Sequence, residues 1–157
     1  MGIGGKNLWG VTEMFENVNI RSSVPVYLQI ENVVQFAVAS GKLKPGDQLP
    51  SMLELSEKLG LNPNTVAKSY RDLEVMGVVY TRRGMGVYIN KGVEAKCKET
   101  CRKRTIARLH EVVSEAKAAG MAAREIKEVC EESFSSTAGP YAPTPDSILA
   151  LAHPKKR

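Results

Sequence analysis

The sequence predicts a mostly α-helical protein with a small β-hairpin: a winged helix-turn-helix domain followed by a C-terminal two-helix unit. Three observations predict it. The stretches "SMLELSEKLG" and "PNTVAKSYRDLEVMG" read as two amphipathic helices meeting across the short junction Gly60, Leu61 and Asn62, as in a helix-turn-helix. Two β-like runs, "VVYT" and "GVYIN", follow at once and are split by "RRGM", so a hairpin trails the second helix. A long amphipathic stretch after residue 91 breaks at Gly120 and resumes, which supplies the two-helix unit.

In chain order, residues 1–23 are rich in Gly and Asn with little periodicity, and are expected to be a partly disordered extension. In "VPVYLQIENVVQFAVASGKL", Tyr27, Ile30, Val34 and Ala37 or Val38 recur at helical spacing behind Pro25, and Gly41 ends the helix. "KPGDQLP" is turn chemistry. Ser51 with Glu54 three residues on is a capping box, in which the hydroxyl accepts from a free backbone N–H and the carboxylate reaches back. This helix is expected to bury Leu55, Leu59 and Met52 and to stop at Gly60. Asn62 then caps the next helix, with Pro63 at the first position, where its missing N–H costs nothing.

That second helix buries Val66, Tyr70, Leu73 and Gly77. Asn64, Lys68, Arg71 and Val75 turn the opposite way, flanked by Thr65 and Asp72. The outward face is thus basic and hydrogen-bonding in its N-terminal half, the half that meets base edges and phosphates when such a helix enters a major groove. In the hairpin, Gly84 and Gly86 permit a tight turn and a close approach to another surface. Arg82 and Arg83 beside them can lie along a phosphate backbone or enter a minor groove.

Further on, Cys101, Thr105, Leu109, Val112, Ala116 and Ala119 repeat every three or four residues, with Ile106 and Val113 beside them. This seam is wide enough to pack another helix. A second amphipathic helix shows Ile126, Val129, Cys130 and Phe134. Two helices of this size bury little alone, so pairing with the same elements of a second chain is the economical solution. The alternative is an intramolecular hairpin docked on the winged domain. The predicted organisation is an extension at 1–23, a winged domain at 24–91, a helical dimerisation and effector region at 92–136, and a flexible tail at 137–157.

Composition bounds the function. Hydrophobic residues at 43% and charged ones at 25% fit a globular chain rather than a disordered one. The longest apolar run, "VVQFAVAS", is too short to span a bilayer, and "MGIGGKNLWGVTEM" lacks the layout of a secretory signal, so a cytoplasmic protein is expected. The net charge of +5 is concentrated in residues 91–119, where eight basic groups face four acidic ones. Those cations scatter around the helix instead of forming one stripe, and attract a polyanion only at long range. Cys97, Cys101 and Cys130 are an odd count with no four-ligand metal pattern, and read as small apolar residues on packed helices. No Walker or Rossmann glycine loop, nucleophile elbow or His–Glu metal pattern is present, so neither an enzyme nor a cofactor or metal is expected.

The segments "VPVYLQI", "ASGKLKPGDQLPS" and "LGLNPNTVAKSYRDLEVMGVVYTRRGMGVYI", covering about residues 24–90, resemble the DNA-binding domain of the GntR family of bacterial transcription regulators. The resemblance implies a winged helix-turn-helix working as a homodimer on a palindromic double-stranded DNA operator, a repressor rather than an activator. It leaves selection of a small-molecule effector to the C-terminal region. The candidate DNA-binding residues are then Ser51, Asn62, Asn64, Thr65, Lys68, Ser69, Arg71, Arg82, Arg83, Gly84 and Gly86. The dimerisation set is Cys101, Thr105, Ile106, Leu109, Val112, Val113, Ala116, Ile126 and Val129. The short C-terminal region is similar to that of the YtrA-like branch. There the chain commonly begins near the place of Met14, which makes residues 1–13 an upstream artefact or a disordered extension.

One departure stands out. Leu53 occupies a position where the family usually has arginine, and leucine cannot donate to a guanine edge or pair with a phosphate. A good bidentate pair is worth roughly 1–3 kcal/mol of discrimination. The alternatives are a different operator, more of the binding carried by Ser51, Lys68, Arg71 and the wing, or weaker binding helped by a partner. A winged fold that binds protein instead of DNA is the competing functional class.

Overall fold

The computed structural model describes residues 8–135. The elements are α1 (Leu8–Glu13), α2 (Val26–Ala39), α3 (Met52–Leu59), α4 (Pro63–Val75), β1 (Val79–Arg82), β2 (Gly86–Ile89), α5 (Glu94–Ala118) and α6 (Ala123–Ser135). The expected tail at 137–157 lies outside the described residues, as do residues 1–7.

Helix α2 is the central support because its apolar residues recur on more than one side. Ile30, Val34, Ala37 and Val38 are buried as the spacing predicts, and Val33 joins them. One side receives α4 and another receives α5. Burying an aliphatic side chain of this size stabilises by roughly 1.5–3 kcal/mol, so this helix anchors both neighbours.

The segment before α2 differs from expectation. Phe15 is fully buried in the core, and Val11, Met14 and Val18 pack against it. The Gln29 amide fastens this segment: Nε2 donates to the carbonyls of Asn19 (3.0 Å) and Val24 (2.9 Å), and Oε1 accepts from Asn19 N–H (2.9 Å). From Leu8 onward the extension, expected to be partly disordered, is therefore folded, with Phe15 as its apolar anchor. The stretch ahead of Met14 likewise contributes a helix and a packed Val11.

The caps read from sequence are present. Ser51 Oγ accepts from Glu54 N–H (3.2 Å), and Glu54 Oε2 accepts from Ser51 N–H (2.8 Å), closing the capping box of α3. Gly60 ends the helix at φ 63°, a left-handed conformation that favours glycine. Asn62 Oδ1 accepts from Asn64 N–H (2.9 Å) with Pro63 opening α4. Leu55, Val66, Tyr70 and Leu73 are buried as expected. Met52 is not: one turn before Leu55 at the open end of α3, it is 43% exposed. Gly77 also leaves the predicted stripe, since α4 ends at Val75 and Gly77 (φ 75°) turns the chain towards β1.

Strands β1 and β2 pair antiparallel in the register Val79 with Ile89, Tyr80 with Tyr88, Thr81 with Val87 and Arg82 with Gly86. Period-two alternation sends Val79, Val87 and Ile89 into the core and leaves Tyr80 and Tyr88 on the outer face. The free edge of β2 is not left open. Gly46 N–H donates to the Ile89 carbonyl (2.9 Å), Ile89 N–H to Asp47 (2.9 Å) and Leu49 N–H to Val87 (2.8 Å), so the "PGDQLP" segment protects it.

Helix α5 begins inside the core and leaves it. Val93 and Cys97 are buried there, and burial pushes the Cys97 thiol up to about 11, which suits a packed apolar residue rather than a thiolate. Beyond its first turns α5 runs out of the domain. Gly120 interrupts it, and no residue of α6 is buried.

Candidate nucleic-acid interface

The outward face of α4 is assembled by the same helix that locks into the core. Asn64, Arg71 and Val75 are exposed, Val75 to 84%, and Thr65 is half-buried beside them. Ser51 and Asn62 are exposed at the starts of α3 and α4. Their side-chain oxygens already accept from backbone N–H groups, so the hydroxyl proton of Ser51 and the amide hydrogens of Asn62 are what they can offer another molecule.

Lys68 is exposed but not loose. Its Nζ lies 2.7 Å from Asp72 Oδ2 and 4.1 Å from the centroid of the Tyr27 ring on α2. The hydrogen bond to Asp72 raises the ammonium pKa and lowers that of the carboxyl. Asp72 was legible as an i, i+4 partner; Tyr27 was not, because it comes from another helix. Behind this pair sits Glu31 of α2, 7% exposed. Burial and then the negative Asp72 push its carboxyl up to about 7, against the pull of Lys68 and Arg104.

Ser69 departs from its predicted role. It is fully buried, and its hydroxyl donates to the carbonyls of Tyr27 (3.1 Å) and Thr65 (3.2 Å). Its place on α4 faces α2, so it fixes the helix rather than presenting it. Gly86 is approached on one side by its own chain. It is half-buried at φ 124°, and a Cβ there would sit 2.6 Å from Gln48 Nε2.

The wing is tied to α4 by Thr81 N–H donating to Glu74 Oε1 (3.0 Å). Gln48 Nε2 donates to the Met85 carbonyl (3.0 Å), and Tyr88 Oη donates to the same oxygen (3.1 Å). Gln48 was missed in the sequence because nothing in "PGDQLP" marks the third edge of a hairpin. Arg83 and Gly84 are exposed at the tip. The Arg82 guanidinium lies over the stacked outer-face rings, 5.7 Å from the Tyr80 centroid and 5.5 Å from that of Tyr88. Leu53, Met52 and Met85 add exposed apolar surface, with Leu53 at 59%.

Away from this region, the predicted seam of α5 is open. Ile106, Leu109 and Val112 are exposed, Cys101, Val113 and Ala116 are half-buried, and Thr105 is exposed. On α6, Ile126 is half-buried while Val129 and Phe134 are exposed. Among the described residues no group of three or more His, Cys, Asp or Glu side chains could hold a metal, and no helix is long and apolar enough to cross a membrane.

Residues 26–89 match the family described as bacterial regulatory proteins, gntR family. The HTH-type transcriptional repressor YtrA of Bacillus subtilis (strain 168) is 34% identical over 78% of this chain and 94% of its own length. The uncharacterised HTH-type transcriptional regulator YhcF of the same organism is 40% identical over 47% of this chain and 61% of its own. A crystal structure of a transcriptional regulator from Oenococcus oeni matches with a TM-score of 0.59 at 34% identity, covering 76% of this chain and 99% of that one. The likeness runs along 94% of one of these relatives and 99% of another, and the chain belongs to the GntR family of bacterial regulatory proteins.

Proposed function

We infer that the chain is a cytoplasmic transcription repressor that binds a palindromic double-stranded DNA operator as a homodimer, with no catalytic activity. The observation that carries this reading is the face of α4: Asn64, Lys68 and Arg71 stand outward on a helix whose other side is locked in the core. The wing, tied to the same helix through Glu74, adds Arg82 and Arg83. Helix side chains reach base edges in a major groove, while wing arginines neutralise phosphates. The open seam of Ile106, Leu109 and Val112 on α5, continued by Val129 on α6, suits a second copy of the chain. A dimer places two recognition helices about one turn of DNA apart. A small-molecule effector releases the operator only by favouring one orientation of the two winged domains over the other.

Selection of bound fragments from random DNA tests the reading: it is expected to return an inverted repeat. Lys68→Ala and Arg83→Ala are expected to weaken binding to that duplex, and unchanged gel shifts in both would count against it. A second reading, a winged module that binds protein, is favoured by the exposed Leu53, Met52 and Met85. Salt decides between them, because phosphate contacts make affinity fall steeply with ionic strength and an apolar interface responds far less.

A further inference from the structure

Glu31 is the one buried side chain in the described residues with an oxygen, Oε1, that has no hydrogen-bond partner. It lies on α2 where α4 and α5 both pack. Three groups face it. From α4 come Asp72, whose carboxyl neighbours that of Glu31, and Lys68, which is bonded to Asp72; from α5 comes Arg104. On α2 itself Tyr27 stands one turn before Glu31 and holds the Lys68 ammonium against its ring. Arg104 is engaged by Asn32, to whose Oδ1 it donates, so it attracts Glu31 only across space.

Two neighbouring carboxyls, one of them buried, cannot both ionise cheaply, and a shared proton is the usual solution. With Glu31 protonated, its hydroxyl donates to the Asp72 carboxylate, and the Asp72–Lys68 pair is neutral beneath the outward face of α4. With Glu31 ionised, two carboxylates face the single Lys68 ammonium, with Arg104 offsetting them only across space, and they compete with any polyanion for Lys68. We propose that Glu31 is a positioning residue for Lys68: by taking up a proton at the α2–α4–α5 junction it sets how strongly the recognition helix attracts DNA phosphate. This rests on the DNA-binding reading above.

By linkage, a group that binds its proton more tightly in the DNA complex makes affinity fall as pH rises, by at most tenfold per pH unit. Comparison with Glu31→Gln isolates the contribution of this carboxyl, since the amide is fixed neutral and still offers a donor to Asp72. The test uses the full chain at constant ionic strength with a labelled duplex recovered from a random pool. Wild-type affinity is expected to fall about three- to tenfold from pH 6 to pH 8, while Glu31→Gln holds the low-pH affinity throughout. A carbon-13 carboxyl titration of the free wild-type protein gives a readout that needs no variant: Glu31 is expected to titrate near neutrality. A Glu31 that titrates in the ordinary carboxylate range, or a pH profile that survives in Glu31→Gln, overturns the proposal. Failure to bind any duplex at either pH, with Glu31 still titrating near neutrality, overturns the DNA reading and the proposal with it.

Discussion

Replacing Gly86 by alanine separates two ways in which the wing depends on having no side chain there. The backbone sits at φ 124°, where an L side chain is strained by about 1–3 kcal/mol. The added Cβ also falls 2.6 Å from Gln48 Nε2, too close for any contact. Gln48 must then swing away and give up its 3.0 Å bond to the Met85 carbonyl, a net loss of about 0.5–1.5 kcal/mol at a solvated site. Gly86→Ala is therefore expected to destabilise by about 2–4 kcal/mol in urea unfolding with the slope unchanged. Gln48→Ala alone loses only the hydrogen bond. In the double variant the clash has already gone and only the backbone strain remains, so the two effects overlap by about 1 kcal/mol. Strict additivity, or a Gly86→Ala cost below about 0.5 kcal/mol, would refute the claim that Gln48 is what holds this glycine in place.

Three further outcomes follow from single contacts. Tyr70→Phe removes the 2.7 Å bond from Tyr70 Oη to the Pro50 carbonyl inside the core, and is expected to lower unfolding free energy by about 1–3 kcal/mol without changing the fold by circular dichroism. The Glu54 carboxyl is held below its ordinary value, mainly by the Ser51 N–H; its contribution is present above 4.5 and lost as pH falls through the lower folded value. Glu54→Gln should accordingly flatten that acid limb in melts between pH 5 and 3. Glu31 has the opposite sign. Raised from 4.5 to about 7, it favours the fold at low pH and loses that contribution as pH rises through neutrality. Glu31→Gln is thus expected to be more stable than wild type by on the order of 1–3 kcal/mol at pH 8 and nearly equal to it at pH 4.

What could be read in the sequence were features decided within a few residues. The Ser51–Glu54 box, the Asn62–Pro63 start and the Gly60 stop depend on local backbone geometry, and each appears where the residue types require it. The buried stripe of α4 was legible through Leu73 because helical period fixes it, and it failed at Gly77 because the end of the helix is set by the turn into β1. Ser69 shows the limit. On a helical wheel it lies between the buried and outward faces, and only the carbonyl of Tyr27, 42 residues away in the chain, decides which it joins. Gln48, Glu31 and Tyr27 escaped for the same reason: each owes its role to a partner on another element.

Helix α5 explains why the end of the wing is not where the winged unit ends physically. Sequence places the helical region from residue 92, yet Val93 and Cys97 complete the core formed by α2 and the strands. Lys96 Nζ donates to the Met76 carbonyl (2.8 Å) at the C-terminal end of α4, where the helix dipole favours a cation. Arg104 donates to Asn32 on α2, one residue from Glu31. The first half of α5 is therefore fastened to both the supporting helix and the outward-facing one, while its second half carries the exposed seam of Leu109 and Val112. Because one continuous helix spans both, a change in how two seams meet in the proposed dimer cannot be absorbed by a flexible linker. It must appear as a rotation of the whole winged unit or as loss of the Lys96 and Arg104 contacts. Amide exchange separates the two. Rotation leaves Met76–Gly77 protected on both sides of the change, whereas unfastening exposes that end of α4 first.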